Sequence, residues 1–152
     1  MVKVVFDTVV FVRALLNRRS HWSRLVFDRG AAYRLLVSAE TLQEALEVLR
    51  HPELVRRFSR LPGRDAGALI EVLRQADMVD IDLSSFPRVC RDLKDDKFLA
   101  TAEVAVAGYL VSEDQDLLVL REFEGTAIVD AETFLGVLDQ HGERGDAANA
   151  NA

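Results

Sequence analysis

The chain has 152 residues, 49% of them hydrophobic, and carries a formal net charge of −6. This length suits one domain with a full core, and the acidic balance excludes a protein coated uniformly in positive charge. Arginines at positions 13, 24, 34 and 50 interrupt the early apolar stretches, so no segment approaches the ~20 apolar residues that a membrane-spanning helix needs. The single cysteine, Cys90, cannot form an internal disulfide, and no leader-like segment opens the chain, so we expect a cytoplasmic protein.

Strand-like and helix-like patterns alternate along the chain. The sequence predicts strands over residues 4–6, 34–37, 78–81, 109–111 and 127–129. Apolar residues spaced three and four apart predict helices over residues 41–49 and 66–76, and Ser38 and Asp130 stand where helix N-caps are expected. This alternation is typical of an α/β fold with a parallel sheet. We expect one domain over residues 1–138 and a disordered tail over residues 139–152.

An aspartate ends the first predicted strand. In "KVVFDTVVFV" a buried run leads straight into Asp7, and apolar residues resume two positions later. Burying a carboxylate is costly unless a partner compensates it. One interpretation is that Asp7 only caps the following helix. The other is that it belongs to a ligand site, because ligands of open parallel sheets bind beyond the carboxyl ends of the strands.

Further acids are predicted to reach the same edge of the sheet. Glu44 lies about two turns into the helix after the second strand, and Glu40 one turn earlier; each taken alone is more typical of a helix surface. Asp95 and Asp96 open a later apolar helix, where the simple interpretation is N-capping and favourable interaction with the helix dipole. Two more acids, Asp114 and Asp116, follow the strand "YLV".

A cluster of such acids would require a cation. Two unit charges ~4 Å apart repel by roughly 4 kcal/mol at an effective dielectric constant near 20. No paired cysteines are present, and the histidines at positions 21, 51 and 141 lack the spacing of a zinc site. Oxygen ligands alone favour a hard ion such as Mg²⁺ or Mn²⁺, which retains several waters and recruits phosphate oxygens. The pattern therefore favours phosphate chemistry.

The order of these motifs resembles the PIN domain, and within it the bacterial putative-toxin family (VapC-like) of single-domain nucleases. The segments are "VVFDTVVFVRALL", "LLVSAETLQEALEVLRHPEL", "CRDLKDDKFLATAEVAVAGYLVSEDQDLLVL" and "GTAIVDAETFLGVL". The resemblance implies a three-layer α/β/α sandwich around a mostly parallel sheet. It also implies a Mg²⁺- or Mn²⁺-dependent ribonuclease, acting as the toxin of a toxin-antitoxin system, with a small antitoxin as partner and a possible homodimer.

The resemblance also implies which residues form the site. The family's motif acids fall on Asp7, Glu44, Asp96 and Asp114, and Asp116 matches a further acid frequent in this subgroup. Asp7, Asp96 and Asp114 would hold one or two ions, and Glu44 would orient a metal-bound water or help to bind the ion, for hydrolysis of an RNA phosphodiester. Asp116 would be a further metal ligand. The family usually reads D-T-N after the first strand, whereas this chain has Val9 in place of the asparagine. Valine cannot hydrogen bond through its side chain, so a second hypothesis is a PIN-like module that binds RNA or a partner but cuts poorly.

Three other features have open interpretations. The arginines at positions 50, 56, 57, 60 and 64 form either a solvated helix face or a patch that contacts phosphate or a partner. Trp22 could stack on a base, although packing in the core or an interface is the commoner role of such a residue. A phosphatase with Asp7 as covalent nucleophile would need a second acid two residues on, where Val9 stands.

Overall fold

The structure is a computed structural model, and it describes residues 1–53, 56 and 66–150, the last eight of these as backbone only. The strands are β1 Val2–Phe6, β2 Tyr33–Val37, β3 Asp77–Met78, β4 Tyr109–Val111, β5 Glu122–Phe123 and β6 Thr126–Val129. The helices include α1 Thr8–Leu16, α2 His21–Ser23, α3 Ala39–Val48, α4 Ala66–Arg74, α5 Asp96–Ala105, α6 Gln115–Leu118 and α7 Ala131–Ala150. A π-helical turn covers Arg24–Asp28, and 3₁₀ turns cover Gly30–Ala32 and Leu93–Asp95.

The strands form one mostly parallel sheet in the order β3-β2-β1-β4-β6-β5, in which β5 pairs antiparallel with β6. From β1 the chain moves outward through β2 to β3, and then returns to place β4 on the other side of β1. The order of strands therefore reverses between β1 and β4. Ligand sites of such sheets lie beyond the carboxyl ends of the strands at this reversal.

Side chains alternate along the central strands, so each face of the sheet has its own core. Val4 and Phe6 of β1 face the core formed with α1, α4 and α7, whereas Val5 faces the core formed with α5. Phe6 makes edge-to-face contacts with Tyr33 and Phe134. These layers confirm the predicted α/β sandwich around a mostly parallel sheet.

Most predicted elements are present, with differences at their ends. Ser38 caps α3 by accepting the N–H of Thr41, and Asp130 accepts the N–H of Thr133 at the start of α7, as predicted. The strand β3 covers Asp77–Met78 rather than residues 78–81, and the short strand β5 was not predicted. The final helix continues over residues 139–150, where the sequence predicts disorder, and residues 151 and 152 lie outside the described residues. The domain boundary at residue 138 stays a prediction.

Most of the predicted arginine cluster also lies outside the described residues, since positions 57, 60 and 64 fall there. Arg50 and Arg56 are described and exposed, and Arg56 Nε donates to the Pro52 carbonyl at 3.3 Å. The interpretation of this cluster as a phosphate-facing patch therefore stays a prediction. Within the described part of the chain, no helix is both long and apolar enough to cross a membrane.

Candidate functional site

The carboxyl ends of β1 and β4 bring two predicted site segments together. Asp7 directly follows β1, and its N–H donates to the carbonyl of Val111, the last residue of β4, at 2.9 Å. Ser112 follows Val111 and is fully buried. These positions coincide with the reversal of strand order, so the first predicted acid lies where the topology favours a site.

A chain of hydrogen bonds connects the acids at this edge. The Ser112 hydroxyl donates to Asp7 Oδ2 at 2.8 Å and accepts the N–H of Asp114 at 3.0 Å. Asp114 Oδ1 in turn accepts the N–H of Asp116 at 2.9 Å. Ser112 thus fixes the positions of Asp7 and Asp114 relative to each other, and Asp116 contributes its backbone N–H to the same chain of contacts.

Asp7 is both a helix cap and a buried acid. Its Oδ1 accepts the N–H of Val9 at 3.3 Å, so the capping interpretation is confirmed. Only 4% of Asp7 is exposed, and this burial raises its pKa. Hydrogen bonds from Ser112 and Val9 oppose the rise in pKa, while the charges of Glu44 and Asp114 add to it. One carboxylate therefore caps α1 and also lies buried within reach of the charges of Glu44 and Asp114.

Asp95, which precedes α5, is coupled to the acids at the strand ends. Burial raises its pKa to about 7, and the charges of Asp7 and Asp114 act in the same direction. A hydrogen bond between the Asp95 and Asp114 carboxyls, which requires a proton, contributes as well. Asp95 Oδ2 is buried and has no hydrogen-bond partner among the described residues. Asp95 therefore faces the same space as the acids at the strand ends.

Asp96, by contrast, holds the loop that precedes its helix. Its Oδ1 accepts the N–H of Cys90 at 2.7 Å, and its Oδ2 accepts the N–H of Val89 at 3.3 Å. Only 6% of Asp96 is exposed. Both oxygens of Asp96 are thus engaged by backbone N–H groups, whereas the adjacent Asp95 is coupled through its charge to Asp7 and Asp114, and the site role that the motif implies for Asp96 stays a prediction.

Glu44 reaches the cluster from α3 and carries a partner that was not predicted. Its Oε2 lies 2.6 Å from Nζ of Lys97, on the first turn of α5. The charge of Glu44 raises the pKa of Asp7, so the two carboxylates are within electrostatic reach of each other. No sequence signal links Glu44 to Lys97, because they lie on separate helices far apart in the chain.

The comparison with known families agrees with the motifs and the fold. A family model described as the PIN domain matches residues 3–116, which is most of the chain.

The chain belongs to the PIN domain family.

Two solved structures share the fold of this PIN domain. PAE2754 from Pyrobaculum aerophilum is 22% identical with a TM-score of 0.58, and the match covers 91% of this chain and 90% of that one. A chain of VapBC2 from Rickettsia felis, solved bound to a DNA fragment from their promoter, is 12% identical with a TM-score of 0.56. That match covers 83% of this chain and 96% of the other. None of the curated proteins compared with the chain matches it.

The donor set of this PIN domain fits a hard divalent cation that retains water. The candidate donors are carboxylates. Two of them have a buried oxygen without a hydrogen-bond partner among the described residues: Asp95 Oδ2, and Glu44 Oε2, which is nonetheless ion-paired with Lys97. In the same described part, no three acidic, histidine or cysteine side chains converge closely enough to hold one ion. Mg²⁺ is commonly bound by one or two carboxylates and several waters, so the arrangement suits an ion bound partly through water.

Trp22 has a structural role beside the site. Its indole N–H donates to Glu113 Oε1 at 2.8 Å, and the Arg13 guanidinium lies 4.9 Å from its ring centroid. Glu113 Oε1 also accepts the N–H of Ala131 at 3.0 Å. Trp22 is partly buried against the core, as the packing interpretation predicts, while stacking on a base stays untested. Glu113, although it precedes Asp114, joins α2 to the start of α7.

Proposed function

We propose that the chain is a divalent-cation-dependent endoribonuclease whose site consists of Asp7, Asp95 and Asp114. The observation that carries the proposal is the link from Asp7 through Ser112 to Asp114 at the reversal of strand order, with Asp95 charge-coupled to both aspartates. Three mutually repelling carboxylates at one edge of a sheet are expected where a cation binds. Membership of the PIN domain family supports a nuclease.

The residues of the chain would orient the reactants. Asp7 is held by Ser112 and Val9, and Asp114 by Ser112 and by its contact with the N–H of Asp116, so both present fixed oxygens toward the strand ends. Mg²⁺ or Mn²⁺ bound there would lower the pKa of a water and stabilise charge on the scissile phosphate. Asp96 would act indirectly, by holding the loop at Val89 and Cys90 and so fixing the start of α5.

RNA as substrate and an antitoxin as partner are finer parts of this proposal. They rest on the motif resemblance to the bacterial putative-toxin family and on the fold shared with a chain of VapBC2. A small antitoxin would cover or distort the site. Copurification with the product of a neighbouring small reading frame tests the antitoxin, and light scattering of the purified chain tests the possible homodimer.

The test of the activity is a cleavage assay with purified protein. Labelled single-stranded RNA and single-stranded DNA of the same sequence are incubated with Mn²⁺, with Mg²⁺ or with EDTA. The proposal predicts internal cleavage of RNA that requires the divalent ion. Equal cleavage in EDTA would contradict the cation requirement, and preferential cleavage of DNA would contradict the substrate.

The alternative is a PIN-like module that binds RNA or a partner without efficient cleavage. Val9 favours it, because an asparagine amide at this position could tether neighbouring carboxylates and valine cannot. Val9 follows Thr8 after Asp7, is 37% exposed, and has a side chain that offers no hydrogen bond. In the same assay this alternative predicts RNA that is retained by the protein but stays intact with either ion.

A further inference from the structure

A lysine is held against the acid cluster. The Nζ of Lys97 lies 2.6 Å from Glu44 Oε2, and only 16% of the Lys97 side chain is exposed. The same Nζ lies 5.5 Å from the ring centroid of Phe98, which is buried. Lysines are seldom buried to this degree unless their charge is paired, so the contact with Glu44 fixes where this ammonium group lies.

The partner of Lys97 is itself coupled to the candidate site. Glu44 is near enough to Asp7 for its negative charge to raise the pKa of Asp7. Lys97 also lies on the first turn of α5, two residues after Asp95, and its ammonium is held against Glu44, so a fixed positive charge lies next to this group of acids. A positive charge in this position repels a second cation, whereas its removal would leave Glu44 as one more negative charge that attracts a cation.

We propose that Lys97 is a charge-setting residue of the site and that Glu44 positions it. This inference rests on the proposed function. The Glu44–Lys97 pair has no net charge, so a divalent ion would bind to Asp7, Asp95 and Asp114 without direct help from Glu44. The motif resemblance implies a different role for Glu44, which would orient a metal-bound water or help to bind the ion, and a direct ligand predicts a different dependence of ion affinity on Glu44.

The test is a double-mutant cycle read by isothermal titration calorimetry with Mn²⁺ as the only ligand. The proteins are the full chain, Lys97→Met, Glu44→Gln and the double variant. Lys97→Met is expected to tighten Mn²⁺ binding by about tenfold, because an unpaired carboxylate is left at the site. Glu44→Gln is expected to weaken it by about tenfold, because an unpaired ammonium is left. The double variant, which has the net charge of the parent, is expected to bind within ~threefold of the parent.

The outcome for the double variant decides the role of Glu44. If Glu44 is a direct ligand, the double variant binds Mn²⁺ at least about tenfold more weakly than the parent, and the inference is overturned while the cation site stands. Unchanged affinity in Lys97→Met also overturns it. Lys97→Arg is the matched control, since it keeps the charge and should bind within ~threefold of the parent. A parent that binds no Mn²⁺ at millimolar concentration would overturn the proposed function together with this inference.

Discussion

The adjacent acids Asp95 and Asp96 are expected to respond in opposite directions when each is changed to asparagine. In the protein without metal, burial and the charges of Asp7 and Asp114 raise the pKa of Asp95 from 3.8 to about 7. A carboxyl group whose pKa is raised on folding costs the fold nothing at a pH below its unfolded pKa. The fold loses stability as the pH rises from that value through the folded-state pKa, because the charged form is disfavoured in the folded protein. Asp95 therefore destabilises the fold at pH 8 but not at pH 4.

The size of the effect follows from the same shift in pKa. A rise in pKa from 3.8 to about 7 would lower the free energy of unfolding by roughly 4 kcal/mol if it acted in full. We reduce this to about 1–2 kcal/mol because Asp95 is only partly buried and solvent screens its charge. Asp95→Asn should then raise the free energy of unfolding by this amount at pH 8, or the melting temperature by about 3–6 °C. Near pH 4 the variant and the parent should melt within ~1 °C of each other, unlike at pH 8.

Asp96→Asn should instead destabilise the protein at both pH values. An amide has one acceptor oxygen, so the N–H of Cys90 or of Val89 loses its partner, at a cost of about 1–3 kcal/mol. The assay is thermal unfolding followed by circular dichroism in EDTA at pH 4 and pH 8. A loss of stability in Asp95→Asn at pH 8, or an equal gain at both pH values, would refute the placement of Asp95 in the cluster.

Three further outcomes are expected. In a thermal-shift titration Mn²⁺ should raise the melting temperature of the parent, by a stabilisation of about 2.7 kcal/mol when its concentration is 100 times Kd, and Asp7→Asn should lose most of this rise. An equal rise in both proteins would place the ion elsewhere. Val9→Asn, at a partly exposed position near Asp7, should strengthen Mn²⁺ binding or speed RNA cleavage by about tenfold, and this gain should disappear when Asp95 is also changed to asparagine. Weaker Mn²⁺ binding in a folded Val9→Asn variant would show that the packing has adapted to valine. Val106 ends α5 with a φ of 52°, a strained conformation for valine, and is 80% exposed, so Val106→Gly should stabilise the protein by about 0.5–1 kcal/mol in urea unfolding, whereas Val104→Gly, within α5, should destabilise it by a similar amount. Destabilisation by both variants would show that the backbone at Val106 is not strained.

The order of the elements and the edge of the sheet that carries the site were predictable from local patterns. A buried strand that ends in Asp7, and a second that ends before Ser112 and Asp114, already define which ends of a parallel sheet carry polar side chains. The short strand β5 was missed because it has two residues and its turn is formed by Glu124 and Gly125. Both turn residues have positive φ, of 48° and 86°, and a glutamate gives little signal for such a turn.

The composition of the cluster was only partly predictable. Neighbouring residues at the start of a helix point in directions about 100° apart, so the sequence "KDDKF" does not tell which aspartate faces the strand ends. In the structure the N–H groups of Val89 and Cys90 engage both oxygens of Asp96, whereas Asp95 is coupled through its charge to Asp7 and Asp114. The pairing of Lys97 with Glu44 depends on how α3 packs against α5, which is a property of the tertiary fold.

The most direct test of the nuclease site is the rate of RNA cleavage by an Asp7→Asn variant. Under single-turnover conditions with saturating Mn²⁺, the parent, Asp7→Asn and the control Glu132→Gln are compared; Glu132 is an exposed acid on the first turn of α7. The site described here predicts a loss of at least about 100-fold in Asp7→Asn, a circular dichroism spectrum like that of the parent, and a parental rate in Glu132→Gln. Cleavage by Asp7→Asn at the parental rate would contradict a nuclease site at the ends of β1 and β4.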